Sequence, residues 1–130
     1  MVASQGRVLV VDDEPFMIRL IEIVLERDGH AMLKASNGSE AIDIARSQRP
    51  VLIIMDGMMP KMDGLTALRV LKEDPELRSI PVILLTANPN NFSQEDAVSS
   101  GATVFLTKPF SPTQLLAEVR RLRSRPHSDP

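Results

Sequence analysis

Val51-Leu52-Ile53-Ile54-Met55 is an unbroken apolar run that stops on Asp56. A run this short has the length of a strand, not of a helix. Apolar on both faces, such a strand belongs inside a parallel sheet covered by helices on each side. The same pattern recurs outward from it. Arg7-Val8-Leu9-Val10-Val11 stops on Asp12-Asp13, Pro81-Val82-Ile83-Leu84-Leu85 on Thr86, and Thr103-Val104-Phe105-Leu106-Thr107 on Lys108. A weaker strand, His30 to Ala35, follows Asp28-Gly29. In an open parallel sheet, ligands bind beyond the carboxyl ends of the strands. One edge is therefore expected to gather three carboxylates, a hydroxyl and an ammonium from positions far apart in the chain.

Segments of helical period separate these runs. Met17, Leu20, Ile21 and Val24 follow an i, i+3, i+4, i+7 stripe, with Arg19, Glu22 and Glu26 off that face. Pro15 suits a first helical turn behind an acidic cap at Asp13 or Glu14. Asn37-Gly38-Ser39 leads into a helix with Ala41, Ile42 and Ala45 as its apolar stripe. Asp63-Gly64 opens a third, carrying Leu65, Leu68 and Leu71 and stopping before Asp74-Pro75. Ser93-Gln94-Glu95-Asp96 reads as the cap of a short fourth helix before Gly101. Ser111-Pro112-Thr113-Gln114 is a capping box with proline at the first helical position, ahead of Leu115, Leu116, Val119 and Leu122. The order is β-α repeated five times, and right-handed crossovers then place helices on both faces of the sheet. Residues 1–6 read as an N-terminal extension, 7–123 as one domain and 124–130 as a frayed polar tail.

Composition narrows the function classes. The 130 residues suit one core, with a hydrophobic fraction of 43% and a charged fraction of 25% typical of globular proteins. A formal net charge of -2 gives no general attraction to nucleic acid or anionic lipid. The absence of cysteine excludes a disulfide framework, a thiol nucleophile and a Cys-based zinc site. No apolar stretch nears the ~20 residues that span a bilayer, and the first residues lack signal-peptide character. The simplest placement is cytoplasmic. Arg120, Arg121, Arg123 and Arg125 read as a solvated basic face that complements the last helix's C-terminus. Neither His30 nor His127 has the setting of a relay histidine.

Taken singly, each polar strand end has an ordinary reading. Asp12 or Asp13 caps a helix, Asp56 forms a turn before Gly57, Thr86 ends a strand, and Lys108 is solvated beside Pro109. Their shared edge gives them joint meaning. Two carboxylates about 4 Å apart repel by on the order of 4 kcal/mol at an effective dielectric near 20. A hard divalent cation bound by oxygens offsets that repulsion, and Mg²⁺, commonly held by one or two carboxylates plus water and phosphate oxygens, fits best. Lys108 supplies a second positive charge for a phosphoryl oxygen, and Thr86 a donor for another. A carboxylate in such a setting can itself be the nucleophile.

At this point the chain resembles the response-regulator receiver domains of bacterial two-component signalling, over essentially Arg7 to Leu122. The resemblance is carried by Val10-Val11-Asp12-Asp13-Glu14, by Asp56-Gly57-Met58-Met59-Pro60-Lys61-Met62-Asp63-Gly64, by Leu85-Thr86-Ala87, and by Gly101-Ala102 through Leu106-Thr107-Lys108-Pro109-Phe110. It implies a flavodoxin-like, doubly wound (βα)5 fold with a five-stranded parallel sheet in the order 2-1-3-4-5. It implies that Asp56 is the phosphoacceptor for a histidine kinase's phosphohistidine. Mg²⁺ would be held directly by Asp13 and more through water by Asp12, with Asp56 and the backbone carbonyl of Met58 completing the set. Thr86 and Lys108 would contact the phosphoryl group, and the Lys108-Pro109 bond would be cis. Thr86 and Phe105 would form the switch, Phe105 standing where many members carry tyrosine, so a hydroxyl-dependent partner contact is excluded.

The resemblance further implies a binding module, not an enzyme with an external substrate. Its partners would be a histidine kinase or phosphotransfer protein, and a downstream target met by the surface of the fourth helix, last strand and last helix. Neither nucleic acid nor membrane is an expected direct partner, and the expected state is a monomer or a phosphorylation-dependent dimer. A stand-alone receiver is the leading reading. One rival is a receiver segment of a larger regulator with a DNA-binding or enzymatic output. Thr103-Val104 in place of an Asp-Asp pair disfavours the winged-helix subfamily within that rival. The other rival is an aspartyl-phosphate phosphatase acting on small molecules. Such enzymes carry a second aspartate two residues after the nucleophile, and position 58 is Met.

Overall fold

Alternate residues of each central strand face opposite sides of the sheet, and both sides are apolar, so the chain builds two cores at once. The computed structural model describes residues 6–57, 64–86 and 104–123, apart from the side chains of Leu65, Thr86 and Phe105. It contains β1 (Arg7–Val11), α1 (Pro15–Arg27), β2 (Ala31–Ala35), α2 (Gly38–Gln48), β3 (Leu52–Asp56), α3 (Gly64–Glu73), β4 (Val82–Thr86) and β5 (Val104–Thr107). A C-terminal helix, Pro112–Arg123, follows. All four strand pairings are parallel and the order is β2-β1-β3-β4-β5, the expected doubly wound arrangement. The expected fourth helix, at Ser93 to Gly101, lies outside the described residues.

On one side Leu9, Val11, Ile53, Met55, Val82 and Leu84 pack beneath α2 and α3, against Ala41, Ile42, Ala45, Ala67, Leu68 and Leu71. On the other, Val8, Val10, Leu52, Ile54, Ile83, Leu85 and Leu106 pack beneath Ile21 and Leu25 of α1 and Leu115, Val119 and Leu122 of the C-terminal helix. β3 is buried along its whole length, whereas β2 at the edge buries only Ala35 and exposes Ala31 and Lys34, which explains its weaker apolar signal. Among the described residues, no helix is long and apolar enough to cross a membrane.

The helix starts follow local chemistry. Asn37 caps α2 by accepting from the Glu40 N–H at 2.9 Å, while the Glu40 carboxylate reaches back to the Ser36 N–H and hydroxyl. Ser111 caps the C-terminal helix, its hydroxyl accepting from the Gln114 N–H at 3.3 Å.

α1 corrects two expectations. Glu14 occupies its cap position without a side-chain cap bond, and the carboxylate that satisfies a free N–H there belongs to Asp12. The buried face centres on Ile21 and Leu25, with Met17 and Ile18 beside them. Leu20, placed by its periodicity on the buried stripe, is exposed together with Phe16 and Ile23.

Candidate functional site

β1 and β3 are neighbours at the centre of the sheet, so the residues that end them lie side by side above its carboxyl edge. The Asp12 N–H donates to the Ala35 carbonyl at 3.1 Å, prolonging the β1·β2 pairing by one step. The Gly57 N–H donates to the Leu85 carbonyl at 2.7 Å, which does the same for β3 against β4. Backbone hydrogen bonds therefore fix Asp12 and hold the chain just after Asp56 before any side chain interacts.

Both aspartates are buried, the only two buried polar or charged residues among those described, at 1% and 5% exposure. Burying a carboxylate is unfavourable unless it is paired and hydrogen-bonded. Asp12 Oδ1 accepts from the Glu14 N–H at 2.9 Å, closing the turn into α1. Asp12 Oδ2 lies 3.4 Å from the Lys108 ammonium, and Asp56 Oδ1 lies 3.4 Å from the same nitrogen. Lys108 follows β5 directly, and its bond to Pro109 is cis. Its side chain is only 12% exposed, so it bridges the two carboxylates with little solvent between them.

Asp13 points to solvent at the rim, yet one carboxylate oxygen each from Asp12, Asp13 and Asp56 lie within 4.8 Å of one another. Three carboxylates against one ammonium leave a formal excess of two negative charges in one small volume. Every ligand atom in the cluster is a hard oxygen and the chain contains no cysteine. This donor set suits a hard divalent cation such as Mg²⁺ and not a soft metal.

Of the residues expected at this site, the fold brings together Asp12, Asp13, Asp56 and Lys108. Thr86 ends β4 in register with Thr107, and Phe105 lies on β5 in register with Leu84. Both backbones therefore have the expected place, while their side chains, and Met58 altogether, lie outside the described residues. A cleft of about 230 Å³ opens beside the cluster, lined by Asp12, Asp13, Pro15, Ile18, Arg19, Glu22, Lys34 and Ser36.

Sequence periodicity missed the outer face of α1. Phe16 is 79% exposed, and Leu20 and Ile23 continue the same face at i+4 and i+7. The stripe starts three residues after Asp13, at the rim of the carboxylate cluster. The only sequence signal was an excess of apolar residues over what one helix face can bury.

The family model for the response regulator receiver domain matches residues 8–120. The alkaline phosphatase synthesis transcriptional regulatory protein PhoP of Bacillus subtilis is 36% identical over 119 residues, which are 92% of this chain and 49% of PhoP. Protein PilH of Pseudomonas aeruginosa is 36% identical over 114 residues, 88% of this chain and 94% of PilH. The receiver domain of the sensor histidine kinase PA1611 from Pseudomonas aeruginosa PAO1, solved with a magnesium ion coordinated in its active-site cleft, aligns with a TM-score of 0.84 and 30% identity, over 92% of this chain and 99% of that one. The chain spans about half the length, or less, of several curated relatives it matches. With the fold, the acidic cluster and these likenesses in agreement, the chain belongs to the family of response regulator receiver domains.

Proposed function

We propose that Asp56 is a phosphoacceptor, taking a phosphoryl group from a phosphohistidine of a histidine kinase or phosphotransfer protein. The observation that carries this reading is the Lys108 ammonium held 3.4 Å from both buried carboxylates, Asp12 and Asp56, with Asp13 open at the rim. In the transfer, an Asp56 carboxylate oxygen forms a bond to phosphorus as the bond from phosphorus to the histidine nitrogen breaks. The leaving imidazole keeps the electron pair and takes a proton from solvent. Lys108 needs only to turn from the carboxylate oxygens to a phosphoryl oxygen, so its charge is in place before the donor arrives. Thr86 is assigned the donor role toward a second phosphoryl oxygen. Mg²⁺, held by Asp12, Asp13, Asp56 and the Met58 carbonyl, would supply charge neutralisation at the transferring group.

The protein's catalysis is then confined to its own phosphorylation and dephosphorylation, and its output is binding. Phosphorylation would draw Thr86 inward, let Phe105 move, and reshape the surface made by β5, the C-terminal helix and the fourth helix expected from the sequence, for a cytoplasmic target protein. The exposed Phe16, Leu20 and Ile23 beside the site offer apolar contact area to the phosphodonor protein. A second reading, a receiver segment of a larger regulator, is favoured by relatives such as PhoP, of which the chain spans 49%.

The test is incubation with acetyl phosphate or a phosphorylated kinase, with Mg²⁺ and with a chelator. One base-labile phosphoryl group per chain, formed only with Mg²⁺, is expected. Steady turnover of a phosphomonoester without a stable phosphoprotein would favour the phosphatase instead.

A further inference from the structure

At the opposite end of the sheet, α1 stops in a way that places one histidine with care. Gly29 adopts φ +79, and the N–H groups of Gly29 and His30 donate to the carbonyls of Glu26 and Leu25, closing a Schellman motif. His30 is thereby set between the α1 terminus and the C-terminal helix. Its Nε2 lies 2.8 Å from Asp28 Oδ2, and its Nδ1 lies 2.7 Å from Nη1 of Arg123. The other Arg123 nitrogen, Nη2, donates to the Gly6 carbonyl at 2.9 Å, just before β1. Arg120, one turn earlier, grips Asp28 with two nitrogens, at 2.6 and 2.9 Å.

A guanidinium can only donate, so the Nδ1 it approaches must present a lone pair. The proton of the neutral ring is then on Nε2 and is donated to Asp28. Adding a second proton at Nδ1 would set an N–H against an N–H at 2.7 Å and a cation against a cation. That state cannot keep the Arg123 contact, although it strengthens the one to Asp28. Among the described residues, the charged groups facing the ring are Asp28 from the turn, with Arg120 bound to it, and Arg123 from the C-terminal helix. The backbone adds the Gly6 carbonyl, which shares Arg123, and the α1 carbonyls, one of which accepts the His30 N–H.

We propose that Asp28, His30 and Arg123 form a proton-operated clasp on the last turn of the C-terminal helix. Protonation of His30 from solvent expels Arg123 from the ring, while Arg120 stays on Asp28. The helix is then held at Arg120 and freed at its end. This clasp goes beyond phosphoacceptance and does not depend on it, since it lies at the far edge of the sheet from Asp56. It makes an element of the proposed signalling surface responsive to pH.

The test is NMR on the whole chain, with the ring nitrogens of His30 and His127 assigned separately. At high pH, long-range nitrogen–proton correlations should show His30 as the Nε2–H tautomer. As the pH falls, the Arg123 guanidinium signals and the backbone amide chemical shifts of residues 120–123 should change with the same midpoint as the His30 ring. In His30→Phe those signals should be flat over that range. A His30 ring carrying its proton on Nδ1 at high pH, or Arg123 signals that ignore the ring's titration, would overturn the proposal. Both of these readouts come from the parent chain, so a poorly folded variant does not blunt the test.

Discussion

Replacing Lys108 by Met removes the ammonium while keeping most of the side chain's length. Each of its contacts, at 3.4 Å, is on the order of 5 kcal/mol at an effective dielectric near 20, before the unfavourable desolvation of the lysine is counted. Breaking a buried pair by deleting one partner typically destabilises by about 3–5 kcal/mol, because the remaining charge is stranded. Asp12 keeps its Glu14 N–H and Asp13 is open to water, which moves the expectation to the lower end, about 3 kcal/mol. For a domain of this size that is roughly a 10 °C fall in the unfolding midpoint. The formal excess at the cluster rises from two negative charges to three, so added Mg²⁺ should stabilise the variant more than the parent. Urea and thermal unfolding of both proteins, with and without Mg²⁺, read these changes. A metal-free Lys108→Met as stable as the parent, gaining no more from Mg²⁺, would refute the view that Lys108 offsets carboxylate repulsion.

Asp13→Ala should weaken Mg²⁺ affinity by roughly tenfold or more if Asp13 is the direct carboxylate ligand proposed for it, and titration calorimetry measures it. The Arg120 guanidinium beside Asp28, with help from His30, holds that carboxyl down at about 2, below its unfolded value. Its contribution to stability is therefore present above about pH 4 and lost as pH falls toward 2. Arg120→Ala should flatten that stretch of the pH–stability profile. Leu25→Ala should destabilise by about 2–5 kcal/mol because its side chain is fully buried. Phe16→Ala, on the exposed face, should change stability by less than about 0.5 kcal/mol, and equal losses would contradict the orientation of α1.

What the sequence disclosed and what it withheld differ in range. β1 has the bounds its apolar run predicts, β3 and β4 each start one residue inside theirs, and β5 follows its run from Val104 to Thr107, because continuous Val, Ile and Leu runs encode burial locally. The edge position of Asp12, Asp56 and Lys108 followed from strand direction alone. α1 was harder. Ile18, Leu20, Ile21, Ile23, Val24 and Leu25 cover most of its circumference, so two helical registers fit the same pattern and only packing against Val8, Val10 and the C-terminal helix selects one. The arginines of that helix were also unreadable as partners. Arg120 meets Asp28 and Arg123 meets His30 across more than ninety residues, and Arg121 pairs with Glu118 within its own helix. They are not the uniformly solvated basic face that their sequence suggests.

The account turns on which atom receives the phosphoryl group. After reaction with acetyl phosphate and Mg²⁺, borohydride reduction converts an aspartyl phosphate to homoserine, and peptide mass spectrometry locates the altered residue. The modification should fall on Asp56 alone and vanish in Asp56→Asn, whose unfolding transition should remain cooperative. Homoserine at Asp12 or Asp13, or undiminished labelling of Asp56→Asn, would contradict it.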